Sequence, residues 1–126
     1  MIARMRHTIL VADDEAILRA LVRETLSSAG YAVLEAADGD EALELARSAR
    51  PDLIVLDLMM PSRSGLDVLR ELRADPELAT TPVVMLTTRT RAADREAAAA
   101  AGADRFLAKP FSPQELVRVV AGVLDD

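Results

Sequence analysis

The chain has 126 residues, enough for one domain that buries about two-thirds of its unfolded surface without covalent staples. It has no Cys, which excludes disulfides and thiolate zinc, and its single His, His7, reads as a surface residue with no second His to join it in a metal cluster. With 21 Asp and Glu against 15 Lys and Arg the net charge is -6, which disfavours direct contact with a nucleic-acid backbone, and no segment approaches the roughly 18 consecutive apolar residues of a membrane span. The basic N-terminus is followed by an apolar stretch that stops at Asp13, too short for a signal-peptide core, so a cytoplasmic location is expected. The expected organisation is a single domain over 1–126, with 1–7 as a flexible extension.

Strand-like and helix-like runs alternate along the whole chain. Strands are expected over 8–12, 31–36, 52–57, 82–87 and 104–108, and helices over 15–29, 39–49, 65–74, 91–101 and 113–124. In the first helix Ile17, Leu18, Leu21, Val22 and Leu26 recur at helical spacing and predict one buried face, with Arg19, Arg23 and Glu24 pointing away. Gly30 supplies a left-handed residue after it. The second helix opens on Asp38-Gly39-Asp40-Glu41, an N-cap with a carboxylate three residues on. The runs at 9–12, 53–56 and 83–86 are apolar without alternation, as in parallel strands covered on both faces, so helices are expected on both sides of one sheet. The fourth helix, with Ala92, Ala93 and Ala97 to Ala101, has high helix propensity but little apolar area to bury, which predicts weak docking. The fifth opens on Ser112-Pro113-Gln114-Glu115, combining an N-cap, Pro at the first helical position and Glu at the third.

Each of four strand-like runs hands over at its C-terminal end to a polar residue: Ala12 to Asp13-Asp14, Leu56 to Asp57, Leu86 to Thr87 and Ala108 to Lys109. In a parallel sheet these ends share one edge, which brings three carboxylates, a hydroxyl and an ammonium into one crevice. Asp57 ends an apolar run, where an ionised carboxylate is costly unless compensated; it reads as a helix N-cap or as a functional carboxylate. Asp14 admits the same alternatives. Two carboxylates about 4 Å apart repel by about 4 kcal/mol at an effective dielectric of 20, so three together call for a cation. All-oxygen ligands favour Mg²⁺, with Mn²⁺ as an alternative. Lys109 is the only lysine beside fourteen arginines, and a compact ammonium suits one carboxylate or phosphoryl oxygen in a tight pocket. Pro110 after it makes a cis peptide affordable, and one is predicted there.

From about Thr8 to Leu124 the chain resembles the response-regulator receiver domains of bacterial two-component signalling. The resemblance rests on Asp13-Asp14, on Asp57-Leu58-Met59-Met60-Pro61 with Gly65 eight residues past the aspartate, on Thr87 and on Lys109-Pro110-Phe111. It implies a flavodoxin-like (βα)₅ α/β fold with strand order 2-1-3-4-5, an order given for a member of this family in general accounts of the fold. It also implies that Asp57 is the phosphoacceptor, that Asp13, Asp14, Asp57 and the Met59 carbonyl hold Mg²⁺, and that Lys109 and Thr87 assist transfer. Thr87 and Phe106 would be the switch residues that reshape the face of the fourth helix, fifth strand and fifth helix. The implied partners are a sensor histidine kinase or phosphotransfer protein and a downstream protein or fused output domain. Phe106 lacks the hydroxyl of the family's common tyrosine, and Met59 and Arg89 offer no base to activate hydrolytic water, which predicts a slowly decaying acyl phosphate.

Winged-helix-linked receivers share the Lys109-Pro110-Phe111-Ser112-Pro113 run, but position 119 is Val where that subgroup carries a basic dimer contact, so a monomer or weak dimer is expected. A haloacid-dehalogenase-like phosphatase would need a second Asp where Met59 stands. A nucleotide-binding module is disfavoured by the acidic first turn Ala12-Asp13-Asp14-Glu15, which has no glycine to cradle phosphate. A receiver-like module without phosphorylation would not need all five site residues. The chain ends just past the fifth helix and reads as a stand-alone regulator or as the receiver of a longer protein.

Overall fold

The computed structural model describes residues 6–88 and 91–124. Residues 1–5 of the expected extension, and Arg89, lie outside the described residues. Five strands, β1 (Thr8–Ala12), β2 (Ala32–Ala36), β3 (Leu53–Asp57), β4 (Val83–Thr87) and β5 (Arg105–Ala108), alternate with α1 (Ala16–Ser28), α2 (Gly39–Ala49), α3 (Gly65–Ala74), α4 (Ala92–Ala101) and α5 (Pro113–Leu124). The strands form one parallel sheet in the order β2-β1-β3-β4-β5. This is the flavodoxin-like order that the resemblance implied.

Alternation within the apolar strands divides the core into two layers, because successive side chains leave a strand on opposite faces. Leu10, Ala12, Ile54, Leu56 and Met85 pack with Ala42 and Leu43 of α2 and Val68, Leu69 and Leu72 of α3. Ile9, Val11, Val55, Val84 and Leu86 pack on the other face with Val22 and Leu26 of α1 and Leu116 and Val120 of α5. Both faces of the central strands are therefore dry, as their unbroken apolar sequences predicted.

Helix ends follow local chemistry. The Asp38 carboxylate accepts from Glu41 N–H at 2.9 Å, while Glu41 Oε1 reaches back to Ala37 N–H, so α2 is boxed as expected. At α5 the Ser112 hydroxyl accepts from Glu115 N–H at 3.1 Å and Glu115 Oε1 accepts from Ser112 N–H at 3.2 Å. Gly30 follows α1 at φ 100°, a conformation a side chain would strain.

Three expectations need correction. Ile17 is 88% and Leu21 48% exposed, so the buried ridge of α1 is Leu18, Val22 and Leu26, each four residues apart. Ile17 and Leu21 lie on a parallel ridge rotated by about 100°. Arg19 and Arg23 do not simply point to solvent, since both pair with Glu35 of β2 at 3.2 Å. His7 is half-buried, its ring stacked on Tyr31 with centroids 6.4 Å apart. Little of α4 is buried, as its alanine-rich sequence predicts: Ala98 is its one buried residue among those described. No helix among the described residues is long and apolar enough to cross a membrane.

Candidate functional site

Sheet register carries the polar residues to a common edge. β1 and β3 run side by side up to the Ala12–Leu56 pair, β3 and β4 up to Asp57–Leu86, and β4 and β5 up to Thr87–Ala108. Backbone bonds extend the pairing past the strand ends: Asp13 N–H donates to Ala36 O, Leu58 N–H to Leu86 O and Lys109 N–H to Thr87 O. These bonds hold the chain at Asp13, just past Asp57 and between Thr87 and Lys109.

Oxygen atoms of Asp13, Asp14 and Asp57 all lie within 4.8 Å of one another, with Asp13 and Asp57 buried and Asp14 exposed. Neither Asp14 nor Asp57 is a helix cap. Ser64 caps α3 and Glu15 stands at the N-cap of α1, which removes the capping reading of Asp57 and Asp14. Lys109 reaches over the cluster, its Nζ 3.1 Å from Asp13 Oδ2 and 3.5 Å from Asp57 Oδ2. The Lys109–Pro110 peptide is cis, as predicted. Asp57, Thr87 and Lys109 line one open cleft of about 300 Å³ together with Asp14 and Met59. Phe106 lies on β5 away from this cleft, half-buried, with the Arg95 guanidinium 5.0 Å above its ring.

The electrostatics follow from burial and crowding. Asp57 is pushed up from 3.8 to about 6, chiefly by its own desolvation and next by the charge of Asp13, with Lys109 and the Met59 N–H partly opposing. Burial lowers the affinity of Lys109 for its proton, but its bond to Asp13 and the charges of Asp57, Asp13 and Glu15 more than offset this and hold it above its ordinary value. One ammonium faces several carboxylates, so the cluster retains negative charge. Its donors are hard oxygens with no imidazole or thiolate among them, which fits a small dication such as Mg²⁺.

Some of the site escaped the sequence. Glu15 Oε1 lies 3.5 Å from Lys109 Nζ, and Thr88 lines the cleft beside Thr87. Arg19 Nη1 donates to the Asp13 carbonyl at 2.7 Å and so braces the turn that carries the acidic pair. The signal for Glu15 was its place directly after Asp13-Asp14; the signal for Arg19 appears only once β2 is known to flank β1. Gly65 also gains a physical reason, since its N–H donates to Leu58 O at 2.8 Å and a Cβ would run into the Asp57 carbonyl and approach Leu58 Cα to 2.8 Å.

Comparison with known proteins agrees with this geometry. The response regulator receiver domain family matches residues 9–121. ResD of Bacillus subtilis, a transcriptional regulatory protein, is 46% identical over 116 residues, covering 92% of this chain and 47% of that protein. The chain spans about half the length of the curated relatives it matches. Among solved structures, chemotaxis protein CheY4 of Vibrio cholerae superposes with a TM-score of 0.91 at 38% identity, over 95% of this chain and all of that one. The receiver domain of sensor histidine kinase PA1611 from Pseudomonas aeruginosa, solved with a magnesium ion coordinated in its active site cleft, gives 0.90 at 32% identity over 97% of this chain and 100% of that one. A parallel sheet in this strand order, an acidic cluster at its C-terminal edge and a sequence match over almost the whole chain together make this a member of the response-regulator receiver domain family.

Proposed function

We propose that Asp57 is the phosphoacceptor of this receiver. The observation that carries the reading is a buried strand-end carboxylate with an ammonium 3.5 Å away and two further carboxylates within 4.8 Å. The donor is a phosphohistidine on a sensor histidine kinase or phosphotransfer protein, or a small acyl phosphate. An Asp57 oxygen attacks phosphorus as the phosphorus–nitrogen bond breaks and the electron pair leaves with the imidazole. Asp13, Asp14, Asp57 and the Met59 carbonyl would hold Mg²⁺, which when bound offsets negative charge on the phosphoryl oxygens. Lys109 exchanges its carboxylate partners for a phosphoryl oxygen, and the Thr87 hydroxyl donates to another. The chain therefore assists its own modification without being an enzyme in the ordinary sense.

The phosphorylated Asp57 carries a charge of about -1.5 to -2 in place of the single charge of its carboxylate, and this favours the conformation that binds the phosphoryl group best. Thr87 moves toward the phosphoryl group and Phe106 turns inward, which alters the face of α4, β5 and α5. That face serves a downstream protein or a fused output domain in the cytoplasm. ResD, a transcriptional regulatory protein about twice this length, supports an output in gene control, exerted without direct contact of this acidic chain with nucleic acid.

Treatment with Mg²⁺ and acetyl phosphate is expected to add one phosphoryl group by intact-mass measurement, and Asp57→Asn is expected to add none. Equal labelling of the variant would overturn the assignment. Because Met59 is half-exposed beside Asp57 and carries no base, the adduct should persist for minutes or longer after the donor is removed; decay within seconds would count against that part of the reading.

A further inference from the structure

Glu15 belongs to the cleft yet has no role in the transfer described above. It occupies the N-cap position of α1 without making a side-chain cap bond, although that position favours Ser, Thr, Asp or Asn for the bond they make there. Its side chain instead turns to Lys109, at 3.5 Å, and lines the cleft while remaining 66% exposed. Its backbone N–H donates to Asp13 Oδ1 at 2.9 Å, which ties its position to the acidic cluster. A residue that forgoes a local stabilising bond at a functional cleft points to use of its side chain there. The carboxylate thus stands at the mouth, where a small phosphoryl donor arrives from solvent.

We propose that Glu15 is a specificity-determining residue that disfavours free phosphoryl donors in proportion to their negative charge. The inference rests on Asp57 being the phosphoacceptor. Coulomb repulsion from one fixed carboxylate scales with donor charge, and the cost falls on any donor that reaches the site by diffusion. A phosphohistidine carried by a docked protein meets the same carboxylate with binding energy from the rest of the interface to offset it. Glu15 in this way biases the receiver toward a protein donor.

Two small donors of different charge separate this role from a structural one. With acetyl phosphate, largely a dianion, Asp57 forms the new oxygen–phosphorus bond as the bond to the acetyl oxygen breaks and acetate leaves with the electron pair. With phosphoramidate, which carries a single net negative charge, the phosphorus–nitrogen bond breaks and ammonia leaves with the electron pair, its third proton already on nitrogen. The full chain, Glu15→Gln and Glu15→Asp are compared at saturating Mg²⁺ by the rate at which intact mass records phosphorylation. For a unit charge about 8 Å from the donor in water, Glu15→Gln is expected to raise the acetyl phosphate rate about five-fold and the phosphoramidate rate about two-fold. Glu15→Asp should keep the wild-type donor ratio, and high salt should shrink the difference by screening. Equal fold-changes for both donors in Glu15→Gln, with the wild type labelled normally, overturn the role of Glu15 alone. A wild type that neither donor labels overturns the phosphoacceptor reading and this inference with it.

Discussion

Asp57 concentrates the tension of this molecule in one carboxyl group. Burial and the neighbouring Asp13 raise it from 3.8 to about 6, so in the native state it holds its proton over a range where the unfolded chain has already lost it. Its contribution to stability is therefore greatest below the unfolded value and is lost as pH rises from about 4 through about 6. A shift of this size corresponds to about 3 kcal/mol once the group is fully ionised. In metal-free protein at pH 8, Asp57→Asn should gain about 1–3 kcal/mol in urea unfolding, because a neutral amide of similar shape escapes both desolvation of charge and repulsion. At pH 4 the gain should vanish. A variant no more stable than wild type at pH 8 would show that Lys109 already neutralises the site, whose Nζ is 3.5 Å away.

At the scale of elements, the helices differ in how they are held. α2 and α5 carry reciprocal caps and bury three or more large or medium apolar residues between them, whereas α4 lacks a side-chain cap bond and buries Ala98 alone. Its further anchor is Arg95 over the Phe106 ring, a contact worth about 0.5–1 kcal/mol at an exposed site. Helix propensity keeps α4 coiled but does not tie it to the sheet. Hydrogen–deuterium exchange should find α4 amides exchanging fastest among the five helices, through local opening; protection equal to that of α5 would contradict weak docking. Element boundaries were legible to within a residue or so because caps, glycines and periods are written locally, as at Asp38, Gly30 and Ser112. The faces of α1 were less legible. Ile17 and Leu21 are as apolar as Leu18 and Val22, and only the position of β2 and β1 beneath the helix decides which ridge is covered.

For the whole molecule, strand order does the assembling. Asp13, Asp57, Thr87 and Lys109 are separated by up to 96 residues in sequence, and they meet because every strand points the same way and ends at the same edge. Their convergence could be read from the four strand-end positions, while the bracing by Arg19 and the contact of Glu15 with Lys109 depend on side-chain directions that no spacing encodes. The same assembly predicts a fold whose stability responds to a dication. Three carboxylates lie within 4.8 Å of one another and Lys109 pairs with two of them, Asp13 and Asp57, so the native state gathers repulsion that the unfolded chain disperses, and an ion that binds the gathered form alone stabilises it by mass action. At a concentration 100 times its dissociation constant, Mg²⁺ should add about 2.7 kcal/mol to unfolding free energy, measured against NaCl of equal ionic strength. Asp13→Asn should lose most of this increment because it removes the charge of a buried carboxylate that would face the ion, and chelation should return the wild type to its metal-free stability. If Mg²⁺ stabilises no more than matched NaCl, or if Asp13→Asn keeps the full increment, the carboxylates are held together by Lys109 and solvent rather than poised for a metal.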